Sequence, residues 1–203
     1  MSERTLRVGL VQHACTQDRS ANLAATIEGI ERVAAEGAQL VLLQELHRSL
    51  YFCQQEDPQQ FKLAETIPGE TTTILGELSK TLGIVIVGSL FEQRAAGVYH
   101  NTAVVLDSDG SLAGIYRKMH IPDDPGYFEK YYFTPGDTGF NAISTSLGKL
   151  GVLVCWDQWY PEAARLMALD GAEILLYPAA IGWEHDAGEN IRSTELDAWL
   201  TVH

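Results

Sequence analysis

The segment 147–162 constrains the fold of this chain more than any other stretch. Its short apolar run Leu150 to Val154 is rich in branched side chains, which is typical of a strand buried on both faces. Pro161 then opens a segment with helical spacing of apolar residues, as proline does in a first helical turn. Cys155 is therefore predicted at the tip of a buried strand, on a turn that leads into a helix. Reactive residues of α/β proteins are commonly placed there, although a buried structural thiol remains the alternative.

The rest of the chain alternates strand and helix patterns, with Gly148 and Gly151 predicted to bracket a turn. Long loops are predicted at 47–70 and 119–141. This order predicts a mixed sheet covered by helices in a single domain, residues 1–203. The predicted strands cover 6–11, 40–43, 84–90, 99–106, 112–117, 150–154 and 174–177, and the predicted helices cover 22–35, 71–82, 161–169 and 190–203.

The composition indicates which classes of binding partner and which cellular compartment to expect. The formal net charge is −13, from 14 basic and 27 acidic residues, and such a surface repels phosphate backbones, which argues against nucleic-acid binding. The three cysteines, Cys15, Cys53 and Cys155, are far apart and form no CxxC pair, so we expect reduced thiols and no zinc site. The first residues lack the apolar run of a signal peptide and no window is long enough for a membrane span, so a cytoplasmic protein is expected.

Three reactive side chains each come directly after a predicted strand. They are Glu45, Lys118 and Cys155. If the strand ends meet, the carboxylate can deprotonate the thiol, and the ammonium can stabilise negative charge on a carbonyl oxygen. The backbone N–H of Trp156 would be a second donor to that oxygen. Each charged residue, taken singly, could equally be a solvated surface group.

The same residues carry a family resemblance. Three separated segments resemble, in order, the signature segments of the nitrilase superfamily of carbon–nitrogen hydrolases: Leu-Leu-Gln-Glu45-Leu, Tyr-Arg-Lys118-Met-His-Ile-Pro and Val-Cys155-Trp-Asp-Gln-Trp-Tyr-Pro-Glu. Two further stretches resemble the branch of this superfamily that acts on N-carbamoylputrescine: Ile-Pro-Asp-Asp-Pro-Gly-Tyr-Phe-Glu129-Lys-Tyr-Tyr-Phe-Thr-Pro-Gly-Asp and Tyr-Pro-Ala-Ala-Ile-Gly-Trp. The resemblance extends over essentially the whole chain.

The resemblance implies a four-layer αββα sandwich and a thiol amidohydrolase. It implies Glu45 as general base, Lys118 as oxyanion stabiliser, Cys155 as nucleophile and Glu129 as a second glutamate that positions the lysine and the substrate. It implies no metal and no cofactor, and a homo-oligomer. The expected substrate is a small cationic ureido compound, N-carbamoylputrescine, cleaved to putrescine, carbon dioxide and ammonia. Glu184, Asp123 and Asp124 are candidates for holding its ammonium group.

Two alternatives remain open at this point. The first is another nitrilase-like amidase, acting on N-carbamoyl amino acids or ω-amides. The second is an inactive interaction subunit, because family members usually continue for several dozen residues beyond the position of His203, through strands that complete a second sheet. We therefore expect a fragment or a shortened form of the fold, incomplete at its C-terminal end.

Overall fold

The larger of two sheets carries the first half of the chain. The computed structural model describes residues 5–183 and 188–202, and within these ranges it contains a five-stranded and a three-stranded sheet. The larger sheet has the order β1-β2-β3-β4-β5, in which β1, β2 and β3 run parallel and β4 and β5 are added antiparallel. Its strands are β1 (Val8–Val11), β2 (Leu40–Leu43), β3 (Val85–Ala95), β4 (Val98–Leu106) and β5 (Leu112–Arg117).

Two helices cover the outer face of this sheet. Helix α1 (Arg19–Ala35) begins at Asp18, whose carboxylate accepts hydrogen bonds from the backbone N–H groups of Ser20 and Ala21, the usual N-cap arrangement. Helix α2 (Glu70–Leu82) ends at Gly83, which adopts the left-handed conformation at φ 66°, where glycine avoids a steric cost. Buried residues of β2, β3 and both helices form the core of this outer layer.

The smaller sheet lies against the inner face of the larger one. It has the order β6-β7-β8, with β6 (Ile143–Thr145), β7 (Gly148–Val152) and β8 (Ile174–Leu176). Helix α4 (Pro161–Leu169) packs on its outer side through Ala163 and Met167. The core between the sheets contains side chains from β2, β3, β4 and β7, including Leu40, Val87, Val105, Leu150 and Val152. The layers are therefore helix, sheet, sheet, helix, which confirms the predicted αββα sandwich.

Most predicted elements are present, with shifted ends. The hairpin from β4 to β5 turns at Gly110, whose N–H donates to the Asp107 carbonyl. The predicted turn between Gly148 and Gly151 is wrong: the turn lies at 146–147, and Gly151 belongs to β7. Gly151 is paired with Leu175 of β8, and its lack of a side chain lets Leu175 and Met167 pack closely against this strand.

Two other expectations need correction. The strand before Cys155 ends at Val152, and Cys155 opens a 3-10 helix, Cys155–Trp159, instead of following the strand directly. The predicted loop 119–141 contains a short helix, α3 (Glu129–Tyr132). Helix α5 (Glu189–Val202) agrees with the predicted C-terminal helix up to Val202, and His203 lies outside the described residues. Within the described ranges, no helix combines the length and apolar character needed to cross a bilayer.

Close packing at Gly136 ties the long loop to the end of β5. A Cβ atom at this position would overlap the carbonyl oxygen of Arg117, and the Gly136 N–H donates to the carbonyl of Lys118 at 2.8 Å. We expect Gly136→Ala to lower the free energy of unfolding by about 2 kcal/mol or more, because the overlap is with rigid backbone.

The matched control is Gly182→Ala, since a Cβ atom there meets no other atom within 4 Å. Its free energy of unfolding in urea should stay within about 0.5 kcal/mol of the parent chain. Equal stability of the two variants would contradict the packing described for Gly136.

Candidate active site

The two sheets bring three predicted residues to one place. Glu45 follows β2 and Lys118 follows β5 in the larger sheet, and Cys155 follows β7 in the smaller one. The segment after β8 joins both sides, because the Glu45 N–H donates to the Ala179 carbonyl at 3.3 Å and the Cys155 N–H donates to the Pro178 carbonyl at 2.9 Å. Glu45 and Cys155 are thus anchored on neighbouring carbonyl groups of one short segment.

Backbone strain marks both ends of this arrangement. Leu46, directly after Glu45, has φ 52°, and Cys155 has φ 43°. Residues other than glycine rarely adopt positive φ, and they keep this conformation only where the surrounding structure holds the backbone in place. Leu46 and Cys155 are the only non-glycine residues with positive φ in the described part of the chain. Strain is therefore concentrated where the predicted base and the predicted nucleophile lie.

Lys118 lies between two carboxylates. Its Nζ donates to Glu45 Oε1 at 3.0 Å and to Glu129 Oε2 at 2.6 Å, and its side chain has 0% exposure. Burial by itself lowers the pKa of this lysine, but the charges of Glu45 and Glu129 outweigh burial and raise the pKa above its usual value. The group is therefore an ammonium at neutral pH, held at a fixed position.

Glu129 is the second carboxylate of the cluster and begins the short helix α3. It is buried, and its Oε1 accepts a hydrogen bond from the Tyr51 hydroxyl at 2.7 Å. Burial raises the pKa of Glu129 to about 7, and the charge of Glu45 adds to the rise, while Lys118 opposes it. Glu129 therefore titrates near neutral pH, and its charge state changes within the range in which most enzymes work.

Cys155 is a protonated thiol at rest. Burial raises its pKa well above the usual value, the charge of Glu45 raises it further, and Lys118 lowers it. A thiol in this state needs a base to become a nucleophile, because the thiolate is the reactive form. Glu45 is fully surrounded by protein and offers that base: its Oε1 is bound to Lys118 and Asn101, and its Oε2 accepts only the Ala180 N–H among described donors.

An apolar cleft of about 430 Å³ opens onto Cys155 and Glu129. Trp156 lines it, as do residues from the loop after β8 and from helix α5. Five of its thirteen lining residues are aromatic, and the described lining residues include no lysine and no arginine. The cleft residues are Pro122, Tyr127, Glu129, Cys155, Trp156, Trp159, Ile181, Gly182, Trp183, Glu195, Leu196, Ala198 and Trp199.

The predicted candidates for holding a substrate ammonium group have different outcomes. Asp123 and Asp124 are exposed and are absent from the cleft lining. Glu184 lies outside the described residues. Cys15 and Cys53 are free thiols, as is Cys155. Within residues 5–183 and 188–202, no group of three or more His, Cys, Asp and Glu side chains is arranged to hold a metal ion.

Several residues of the site were missed from the sequence. Tyr51, Asn101 and Ala180 contact Glu129 or Glu45 directly, yet none belongs to a segment whose spacing suggests chemistry. Asp157, two residues after Cys155, is buried and accepts hydrogen bonds from the Val154 N–H and from the backbone and side chain of His120. Asp157 and Ala180 lie in two of the segments that carry the family resemblance, whereas no pattern in the sequence indicates Tyr51 or Asn101 as site residues.

The fold and the buried cluster define a protein of the nitrilase type with a thiol between its two sheets. A family model described as "Carbon-nitrogen hydrolase" matches residues 7–201. The chain belongs to that family.

Individual relatives agree with this assignment. The chain is 48% identical to the N-carbamoylputrescine amidase of Solanum lycopersicum, over 98% of this chain and 65% of that protein. It is 46% identical to the citrullinase of Francisella tularensis, over 87% of this chain and 63% of that protein. A crystal structure of a carbon-nitrogen hydrolase from Helicobacter pylori G27 superposes with a TM-score of 0.93 at 50% identity, covering 97% of this chain and 68% of that one. The chain therefore spans somewhat less than two thirds of the length of these two curated relatives.

The raised pKa of Glu129 predicts a pH-dependent stability. Between about pH 4.5 and pH 7 the folded chain holds the Glu129 proton and the unfolded chain does not, so this group makes the free energy of unfolding fall as pH rises. Glu129→Gln removes that component. Urea denaturation across this range should show the parent chain losing stability relative to the variant as pH increases, and parallel curves would contradict the assigned pKa.

Proposed function

We propose that this chain is a thiol amidohydrolase that cleaves the ureido C–N bond of N-carbamoylputrescine. The observation that carries the proposal is the fully buried Lys118 ammonium held between Glu45 and Glu129, next to the cleft that contains Cys155. The similarity to N-carbamoylputrescine amidases supports the choice of substrate. The reaction places the chain in the formation of putrescine and hence of polyamines.

The first half of the reaction forms a covalent intermediate. Glu45 takes the proton of the Cys155 thiol, and the sulfur attacks the ureido carbonyl carbon. Negative charge then develops on the carbonyl oxygen, where Lys118 Nζ and the backbone N–H of Trp156 stabilise it. Ammonia leaves with the proton returned from Glu45, and the N-substituted carbamoyl group remains bound to the sulfur as a thiocarbamate.

The second half releases the product. Glu45 accepts a proton from a water molecule, and the resulting hydroxide attacks the thiocarbamate carbonyl. The C–S bond breaks, the proton returns from Glu45 to the sulfur, and the released carbamic acid loses carbon dioxide to give putrescine. Glu129 holds Lys118 in position throughout through its 2.6 Å contact, and the cluster requires neither a metal nor a cofactor for these steps.

The cleft favours a cationic tail on the substrate. Its aromatic walls and the carboxylate of Glu195 suit an ammonium group, since cations bind over aromatic faces. An amino-acid substrate such as citrulline carries a carboxylate, which needs a basic anchor, and the described lining residues contain none. The net charge of −13 also attracts a cation and repels an anion.

Substrate choice can be tested directly. We expect kcat/KM for N-carbamoylputrescine to exceed that for citrulline and for N-carbamoyl amino acids by at least about 100-fold, because an unpaired carboxylate in this cleft costs several kcal/mol. Ammonia release measured for each compound at equal enzyme concentration gives the ratio. A preference for citrulline would transfer the proposal to the alternative amidase class.

The role of Cys155 gives a second test. Cys155→Ala should abolish ammonia release, because the bond to the carbonyl carbon cannot form, while thermal unfolding changes little. Cys15→Ala removes another thiol and should keep the activity of the parent chain. Full turnover by Cys155→Ala would end the proposal.

A second candidate is an interaction subunit without activity. It is motivated by the exposure of apolar side chains such as Leu10 (72%) and Leu169 (78%). Alkylation of Cys155 by iodoacetamide at neutral pH separates the two functions. A thiol that reacts no faster than free cysteine would favour the interaction subunit.

The proposal of a thiol amidohydrolase also includes a cytoplasmic location, a homo-oligomeric state and a single hydrolase domain. The three free cysteines support a reducing compartment. The exposed apolar side chains are consistent with contacts between copies of the chain.

A further inference from the structure

A closed ring of hydrogen bonds surrounds the predicted base. The Leu46 N–H donates to Ser89 Oγ at 3.2 Å, and the Ser89 hydroxyl donates to Asn101 Oδ1 at 2.8 Å. Asn101 Nδ2 then donates to Glu45 Oε1 at 2.7 Å, and the peptide bond between Glu45 and Leu46 closes the ring. Because Ser89 donates to the amide oxygen, the amide nitrogen of Asn101 must face Glu45.

Asn101 also holds the other end of the cluster. Its backbone carbonyl accepts the N–H of Lys118 at 2.8 Å. The side chains of Ser89 and Asn101 have 0% exposure, so water does not compete for these hydrogen bonds. Asn101 therefore fixes the position of the Glu45 carboxylate relative to Lys118, which supplies the ammonium group.

The two oxygens of Glu45 have unequal surroundings. Oε1 accepts from both Lys118 Nζ and Asn101 Nδ2, whereas Oε2 accepts from the Ala180 N–H at 2.8 Å. Ala180 belongs to the segment 178–180, in which the Pro178 carbonyl accepts the Cys155 N–H at 2.9 Å, so Oε2 faces the segment that also anchors the cysteine. A carboxylate oxygen has two lone pairs, so Oε1 is saturated. Among the donors that the structure describes, Oε2 accepts only the Ala180 N–H, which leaves one lone pair for a proton.

We propose that Asn101 is a positioning residue that saturates Oε1 of Glu45 and thereby directs Oε2 to the Cys155 thiol. The proton moves from Sγ to Oε2: the S–H bond breaks, an O–H bond forms, and the sulfur keeps the electron pair. The inference rests on the proposed function, in which Glu45 is the base, and adds which of its atoms acts and which residue selects that atom. The side chain of Asn101 is hydrogen-bonded to Ser89 and Glu45, and the role proposed for this side chain is exerted through Glu45.

A purely structural role for Asn101 is the competing explanation, because the loss of any buried hydrogen bond destabilises a protein. The neighbouring residue Thr102 provides a matched control. It lies on the same strand with the same 0% exposure, and its hydroxyl donates to a carboxylate oxygen of Glu92 at 2.6 Å. Successive strand residues face opposite sides of a sheet, so Thr102 points away from Glu45.

The experiment compares Asn101→Leu, Thr102→Val and the parent chain. Both substitutions replace a buried hydrogen-bonding side chain by an apolar one of similar size, so both should lower the thermal unfolding temperature. Two further readouts separate positioning from stability. One is the rate at which iodoacetamide alkylates Cys155 at pH 7, followed by intact mass, and the other is kcat and KM for N-carbamoylputrescine.

We expect Asn101→Leu to lower the alkylation rate and kcat by about 10- to 100-fold, which is the scale of a misplaced general base, with KM within about threefold of the parent value. Thr102→Val should keep both rates within about twofold, since it breaks a comparable bond on the other face. Ser89→Ala removes the hydrogen bond that fixes the orientation of the Asn101 amide, so it should lower the alkylation rate by a smaller factor than Asn101→Leu does. If Asn101→Leu does not fold, Ser89→Ala decides the test.

Parent-like alkylation in Asn101→Leu, or in Ser89→Ala where it replaces that variant, would overturn the inference. Equal losses in Thr102→Val would overturn it as well, because the effect would then be one of stability. Alkylation needs no ureido substrate, so its contrast between variants can be observed even if the parent chain hydrolyses none of the compounds tested. That last result would count against the proposed function and not against the role of Asn101.

Discussion

The buried ion cluster of Lys118 is the interaction on which the rest of the site depends. A lysine with 0% exposure remains charged because two carboxylates lie within 3.0 Å of its Nζ. Removing one partner of a buried ion pair typically lowers the free energy of unfolding by about 3–5 kcal/mol. The stability of each of the three side chains in the cluster therefore depends on the other two. Their arrangement leaves an excess of one negative charge when both carboxylates are ionised. Burial raises the pKa of Glu129 to about 7, and the charge of Glu45 adds to the rise.

The sandwich of two sheets is what allows this cluster to meet a thiol. Glu45 and Lys118 follow strands of one sheet, and Cys155 follows a strand of the other, so the inter-sheet core positions the two halves. Core side chains such as Val87 and Val152 set the distance between the sheets. The segment 178–180 then couples the halves through backbone hydrogen bonds to Glu45 and Cys155. The site is thus located at the seam between two packed layers, where a small loop can contact both.

The sequence predicts the αββα class and the site residues Glu45, Lys118, Glu129 and Cys155. Three of these residues follow predicted strands, and all four lie in segments that resemble one family. The prediction of a turn at Gly151 is wrong, because the missing side chain of this residue allows close strand packing against Leu175. Local patterns also predict a loop over 119–141, whereas Glu129 begins a helix there. Four-residue helices leave no periodic signal in a sequence, so local patterns could not reveal α3.

The sequence by itself determined the order of strands and helices and the reactive side chains at the strand ends, because those depend on local periodicity and residue type. Only the tertiary structure decided which oxygen of Glu45 is saturated, that Tyr51 supports Glu129, and that Ser89 and Asn101 complete a ring around the base. Ser89 and Asn101 are 12 positions apart in the sequence, and Tyr51 and Glu129 are 78 positions apart. Such pairings follow from the register of β3 on β4 and from the packing of loops, and neither of these is encoded in a local stretch of chain.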